Sequence, residues 1–197
     1  MLVTRGVPEP VRAHLAGRCQ LELWEGEGVM PRAALLDRVA GKAGLLAMLT
    51  DRVDAELLDR AGPELAVVAN YAVGFDNLDL DACTARGVLA TNTPDVVTEA
   101  TADLTWALLL AAARRVAEGD RFLRARRPWI WGPRFFLGFE VHGKTLGVVG
   151  LGRIGRAVAR RAAGFGMPVL YTARHRLAPD EEAALGVAWR ELDELLA

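Results

Sequence analysis

Residues 145–172 read TLGVVGLGRIGRAVARRAAGFGMPVLYT, and few folds accommodate that order of residues. TLGVVG (145–150) is apolar throughout, the pattern of a strand covered on both faces. RIGRAVARRAAGFG (153–166) spaces its apolar residues for a helix and ends on glycine, and PVLYT (168–172) is a second strand. Strand, helix and strand in this length make a βαβ unit with two parallel strands. Between the first strand and the helix stand Gly150, Gly152 and Gly155, around Arg153 and Ile154. In that spacing the first glycine permits a tight turn and the second a close approach of a pyrophosphate. The third lets the helix pack against the strand, while the helix N-terminus offers free N–H groups to phosphates. These five residues are candidate dinucleotide ligands; a ligand-free structural turn is the alternative.

Such a loop normally leads, roughly twenty positions after its first glycine, to a carboxylate that holds the adenosine ribose. Here no Asp or Glu stands between Glu140 and Asp180, and the expected place reads Thr172-Ala173-Arg174. A carboxylate would repel a 2'-phosphate, whereas a small residue followed by a guanidinium would welcome one, because arginine pairs with phosphate in a bidentate fork. Ala173 and Arg174, with Arg176 assisting, therefore favour NADP(H), with NAD(H) possible. The competing reading of Arg174 is a solvated surface arginine.

The first ninety residues repeat the same kind of alternation. LVT (2–4), CQLELW (19–24), AGLLAML (43–49), LAVVAN (65–70) and VLATN (88–92) read as strands. PVRAHLA (10–16), PRAALLDRVA (31–40), VDAELLDRA (53–61) and LDLDACTARG (78–87) read as helices between them. That alternation predicts a parallel sheet covered on both faces, a flavodoxin-like α/β domain over residues 1–92. Thr93-Pro94-Asp95 breaks the pattern. One long apolar helix is expected from Val96 to Arg121, its LTWALLLAAA run (104–113) buried, followed by an irregular aromatic segment, 126–143. After the second strand of the glycine unit, GVAW and RELDELLA suggest a third strand and a helix. Residues 93–197 are then the dinucleotide-binding domain.

Composition narrows the function classes. A 52% hydrophobic fraction with 25% charged residues describes a soluble globular protein, and a net charge of -1 gives no electrostatic case for nucleic acid. Cys19 and Cys83 match no metal or redox spacing and suit a reduced, cytoplasmic setting. No metal site is expected. The LTWALLLAAA run is too short to span a bilayer. The opening MLVTRGVPEP has neither the apolar core nor the cleavage pattern of a signal peptide.

Several further stretches carry a resemblance. LLAMLTDRVDAELLDRA (45–61), NYAVGFDNLDLDACTARGV (70–88), TNTPDVVTEATADLTWALLLAAARR (91–115), WGPRFFLGFEVHGKTLGVVGLGRIG (131–155) and LYTARHR (170–176) occur in this order over the whole chain. Together they resemble the D-isomer-specific 2-hydroxyacid dehydrogenases, in particular their glyoxylate/hydroxypyruvate reductase branch. The resemblance implies a substrate domain and a Rossmann-like doubly wound cofactor domain, with the active site in the cleft between them. It implies reduction of a small 2-oxo acid, glyoxylate or hydroxypyruvate, to the D-2-hydroxy acid by a nicotinamide hydride. By the same match the backbone N–H groups of Val73 and Gly74 hold the substrate carboxylate, with Leu49 and Thr50 lining the facing loop. An ordinary strand-to-helix turn is the other reading of Val73 and Gly74. Thr98 lies where the family approaches the cofactor, a plain N-cap being equally in keeping with its place. Trp131 is similar to a tryptophan that the branch projects toward the other subunit's active site, which implies a homodimer; packing around Phe135 and Phe136 is the bland alternative.

The family's substrate-binding arginine, tuning carboxylate and proton-donating histidine fall, by the same match, after Ala197. Histidine suits that task because its pKa lies near neutrality, but His14, His142 and His175 do not stand in the matching place. No catalytic residue is expected within these 197 residues. Only two or three of the roughly six strands of a full Rossmann sheet are visible after Thr145. The chain is therefore expected to be the front part of such an enzyme. A catalytically silent dinucleotide-binding module, a pseudoenzyme or a cofactor-sensing scaffold, is the alternative.

Overall fold

The apolar runs near the N-terminus are short because each becomes one strand of a tightly wound parallel sheet. The computed structural model describes all 197 residues, which pack as two units, Met1–Val96 and Val97–Ala197. In the first unit the elements are β1 (Leu2–Val3), α1 (Glu9–Ala16), β2 (Glu22–Leu23), α2 (Arg32–Arg38) and β3 (Gly44–Ala47). They continue with α3 (Ala55–Ala61), β4 (Val67–Asn70), α4 (Leu80–Ala85) and β5 (Leu89–Thr91). The five strands are all parallel in the order β2-β1-β3-β4-β5, with Leu2 beside Leu45 and Leu45 beside Val68. Those three side chains are fully buried among Leu35 of α2, Val39 at its end, and Leu57 and Leu58 of α3. Asp54 and Asp79 begin α3 and α4, their carboxylates accepting from the N–H groups of Leu57 and Ala82. Because the strands are parallel, the loops after β1, β3 and β4 gather at one edge of the sheet, the usual place for ligands in open α/β sheets.

The second unit contains α5 (Thr98–Ala113), α6 (Val116–Arg124), β6 (Leu146–Val149), α7 (Arg153–Ala162), a 3-10 turn (Ala163–Phe165) and β7 (Val169–Thr172). It ends with α8 (Pro179–Leu185), β8 (Val187–Trp189) and α9 (Leu192–Leu196). Its three parallel strands run β6-β7-β8. α5 packs against α7: the Trp106 indole N–H donates to the Val158 carbonyl at 3.0 Å, and its ring stacks on Phe165 at 4.6 Å. Arg160 and Arg161 on α7 pair with Glu99, and Arg161 also with Asp103, on α5. The chain is thus α/β, with a five-stranded and a three-stranded parallel sheet.

Two expectations need correction. The helix expected from Val96 to Arg121 is two helices, because Arg115 turns left-handed at φ 54°. The break is held from outside: the Ala113 carbonyl accepts from Phe139 N–H at 2.7 Å, and Arg115 reaches the Leu137 carbonyl. The LTWALLLAAA run is not buried as a whole, since Leu104 and Leu108 are each more than half exposed and only Trp106 of the run is buried. Apolar composition supplied the expectation, but burial depends on how many layers pack on a helix, and only one face of α5 meets α7. The structure also adds α8, in a stretch to which the sequence reading gave no element. Its signals are there in Pro179 at the first turn, the acidic Asp180-Glu181-Glu182 and a left-handed Gly186 at the end.

Candidate functional site

The glycine loop follows β6. Gly150 takes φ 93°, a conformation that L side chains rarely adopt, so the tight turn requires glycine. A Cβ on Gly155 would stand 2.2 Å from the Gly150 carbonyl oxygen, so only a bare Cα lets α7 close on the strand. Gly152 has nothing within 4 Å of where its Cβ would be, leaving room beside the backbone for a ligand. It also begins α7, and no side chain caps that end. The first N–H groups of α7 are therefore available to an anion. Arg153 and Ile154 form the exposed start of α7. The chemistry of this cradle fits a pyrophosphate.

At the end of β7 the two candidate arginines part company. Arg176 lies bidentate on Glu182 of α8, its Nε donating to Oε1 at 2.8 Å and its Nη2 to Oε2 at 2.9 Å. Tyr171, buried in β7, donates its hydroxyl to the same Oε1 and accepts the Leu177 N–H. The Arg176 guanidinium and the Tyr171 hydroxyl hold the Glu182 carboxyl below its ordinary range, against a smaller opposing effect of burial. Arg174 is exposed and makes no hydrogen bond or ion pair within the protein, while Ala173 is half-buried beside it. One free guanidinium and a small neighbour thus stand where a ribose carboxylate would otherwise be.

Thr98 is the first residue of α5, and the cap position belongs to Val97 with no side-chain cap bond. The plain N-cap role is therefore not what Thr98 does. Trp131 is 77% exposed and makes no ring contact; the residue stacked on Phe135, at 5.3 Å, is Trp129. Packing around Phe135 falls to the neighbour, and Trp131 projects outward.

In the first unit, Leu49 and Thr50 follow β3, and Val73 and Gly74 follow β4, all at the same edge of the sheet. Side-chain amides hold the second loop by its carbonyls. Asn70 donates to the Gly74 oxygen at 2.8 Å and to the Asn77 side-chain oxygen at 3.1 Å. Asn77 in turn donates to the carbonyls of Met48 and Asp51, tying the two loops together. Asn92 donates to the Val73 oxygen at 2.8 Å. With both carbonyls fixed, the Val73 and Gly74 N–H groups are left with no acceptor in the protein. Two adjacent amide donors without acceptors on an anchored turn are an anion-binding arrangement, with the Asp76 carboxylate beside Gly74.

Sequence reasoning did not single out Asn70, Asn77 or Asn92. The available signal was an asparagine at each end of NYAVGFDN and another opening NTP, since asparagine amides commonly bind nearby backbone in turns. The three histidines stand apart from this loop. His14 lies on α1 beside Arg18, His142 lies against Gly166, and His175 is exposed next to Arg174.

Comparison with known proteins agrees with this geometry. The pattern of the D-isomer specific 2-hydroxyacid dehydrogenase catalytic domain matches residues 1–187. A glyoxylate reductase from Thermococcus kodakarensis is 50% identical over 200 residues, covering all of this chain and 60% of the relative. Another, from Pyrococcus furiosus, is 48% identical, covering all of this chain and 59% of the relative. The chain therefore spans about three fifths of the length of the curated relatives it matches. Among solved structures, a Thermus thermophilus protein superposes with a TM-score of 0.88 at 48% identity, over 99% of this chain and 60% of the other. A glyoxylate reductase from Paecilomyes thermophila gives 0.80 at 31% identity, over 100% of this chain and 61% of the other. The chain belongs to the D-isomer specific 2-hydroxyacid dehydrogenase family.

Proposed function

We propose that this chain provides the 2-oxo-acid-binding and NADPH-binding parts of a reductase that converts glyoxylate or hydroxypyruvate to the D-2-hydroxy acid. The observation that carries the reading is the pair of unpartnered N–H groups at Val73 and Gly74, fixed by asparagine amides. They would receive the substrate carboxylate, with Leu49 and Thr50 beside them. The first unit is read as a flavodoxin-like substrate domain, and the second as the leading strands of a doubly wound Rossmann sheet.

The cofactor supplies a hydride when bound. The protein's own part is to seat the pyrophosphate against Gly150, Gly152 and Gly155 and the first amides of α7, and the 2'-phosphate against Arg174. Arg176, already bidentate on Glu182, is the lesser contributor. Trp131 is read as a contact to a second copy in a homodimer, in keeping with its exposure.

A charge-assisted hydrogen bond contributes about 1.5–3 kcal/mol, so the Arg174 contact should favour NADPH over NADH by about 10- to 100-fold. Fluorescence titration of the 197-residue chain with each dinucleotide tests this. Arg174→Asp should abolish or reverse the preference, and equal binding of both dinucleotides before and after the change would remove the assignment. NADPH oxidation with glyoxylate and then hydroxypyruvate tests turnover in the same samples.

A binding module without turnover is the second reading. The positions of His14, His142 and His175, none of them in the loops after β3 and β4, favour it for these 197 residues taken alone. Dinucleotide binding without NADPH oxidation would support it.

A further inference from the structure

One cation at the ligand-binding edge of the five-stranded sheet has no assigned task. Arg5 follows β1 by two residues, and its Nη2 donates to Thr50 Oγ1 at 3.1 Å. No carboxylate pairs with it, and its Nε is buried without an acceptor. A guanidinium carries five N–H donors in a rigid plane, and only one of them is engaged here. Its place is nonetheless well fixed. Thr4, the preceding residue, is buried and donates to the Asp51 carboxylate, which also accepts the Met48 N–H. The turn that carries Leu49 and Thr50 is thereby tied to the end of β1, and the one acid buried there is engaged in holding the turn.

The row continues toward the amide pair. β1, β3 and β4 are neighbours in that order, so Arg5, then Thr50 and Leu49, then Val73 and Gly74 stand side by side along one edge. A Cβ on Gly74 would lie 3.6 Å from Leu49 Cδ2, so the two loops are in contact. Adjacent strands are about 4.8 Å apart. Thr50 draws the Arg5 head toward the end of β3, and β4, which carries the free amides, is the next strand along. That spacing is comparable to the distance from a carboxylate oxygen to the C3 hydroxyl oxygen of an extended three-carbon 2-oxo acid.

We infer that Arg5, held by Thr50, is a specificity-determining residue that reads a hydroxyl on C3 of the 2-oxo acid whose carboxylate lies on Val73 and Gly74. This rests on the substrate-loop reading above and sharpens it: the substrate class is 3-hydroxy-2-oxo acids of the hydroxypyruvate type. The guanidinium donates to the hydroxyl oxygen, and Thr50 fixes the plane of the fork so that little freedom is lost on binding. Lysine could supply the charge but not the planar fork.

Hydroxypyruvate and pyruvate have the same carbon chain and differ by that hydroxyl alone. Each is titrated into the isotopically labelled 197-residue chain while the Val73 and Gly74 amide signals are followed. Hydroxypyruvate should bind about 10-fold or more tightly than pyruvate, the factor expected for one charge-assisted hydrogen bond. Arg5→Met should bring hydroxypyruvate down to the pyruvate level and leave pyruvate unchanged. Thr50→Val should reduce the preference in part. If Arg5→Met does not give a folded spectrum, Arg5→Lys, which keeps the charge and the aliphatic stem, should show an intermediate preference. Equal affinity for both acids in the unmodified chain, or equal weakening of both on substitution, overturns the assignment of Arg5 and leaves the substrate loop standing. If neither acid moves the Val73 and Gly74 amides, the substrate-loop reading falls, and the assignment of Arg5 with it.

Discussion

The two sheets treat similar apolar strands differently. In the five-stranded sheet β3 has partners on both sides, and Leu45 and Ala47 are fully buried. In the three-stranded sheet β6 lies at an edge, with Leu146 and Val148 buried but Val149 68% exposed. Both strands are apolar runs of the kind that parallel sheets cover on both faces. The difference teaches that an apolar run specifies a strand, while its neighbours decide how much of it leaves water. It also separates two kinds of order in the second unit: its sheet edge is open, yet Gly155 of the glycine loop is closely packed against the Gly150 carbonyl.

The largest effect should come from testing that contrast directly. Leu45→Ala removes a fully buried side chain from the middle of the five-stranded sheet and should cost about 3 kcal/mol, within the usual range of about 2–5 for such a deletion. Val149→Ala, at the open edge, should change stability by less than about 0.5 kcal/mol. Urea unfolding followed by tryptophan fluorescence reports on both, because Trp24 is the sole tryptophan of the first unit and the other four lie in the second. A cost at Val149 equal to that at Leu45 would show that the edge of β6 is covered in solution.

A smaller but sharper effect is expected within the glycine loop. In Gly155→Ala the added methyl meets the Gly150 carbonyl oxygen at 2.2 Å, so backbone must move. Overpacking of this kind costs about 1–3 kcal/mol, and the loss should appear in the second unit's transition alone. Gly152→Ala meets nothing within 4 Å and sits at φ -75°, so stability should hold. Its methyl would occupy the approach of the pyrophosphate, and NADPH affinity should fall about 10-fold, equivalent to about 1.4 kcal/mol. Thermal melts and dinucleotide titration, run on both variants, separate a packing glycine from a binding one. Loss of stability in both would make the loop purely structural.

These contrasts also mark how far the sequence could be read. The glycine loop was legible because its roles follow from spacing along one strand and one helix. The strands of the first unit were legible because their apolar runs are short and separated by helical periods. The exposure of Leu104 and Leu108 was not, since it depends on what packs against α5 rather than on the residues of α5. The asparagine clamp was not legible either. Asn70 reaches Gly74 within its own loop, but Asn77 and Asn92 act on residues far away in sequence, and only the parallel topology brings Met48 and Val73 within their reach. That Arg176, expected to assist Arg174, is already engaged was not legible, since it depends on α8 placing Glu182 against it.

That last pairing gives the smallest effect and a clear sign. Glu182 is held below its ordinary carboxyl pKa of 4.5, first by the Arg176 hydrogen bond and then by Tyr171. A carboxyl whose folded pKa is depressed contributes stability that is complete above its unfolded value. The contribution shrinks as pH falls below that value and is gone below the folded pKa. Glu182→Gln should therefore lower the melting temperature of the second unit slightly at pH 7. The gap from the unmodified chain should stay constant down to about pH 5 and close as the pH drops through and below the ordinary carboxyl range. Substitution also releases Arg176 from its partner, so NADPH affinity at pH 7 should rise if the freed guanidinium reaches the 2'-phosphate and stay unchanged if Arg174 alone serves it. A melting gap that widens at low pH would mean that Glu182 is stabilised in its neutral form, and that the Arg176 pair does not persist in solution.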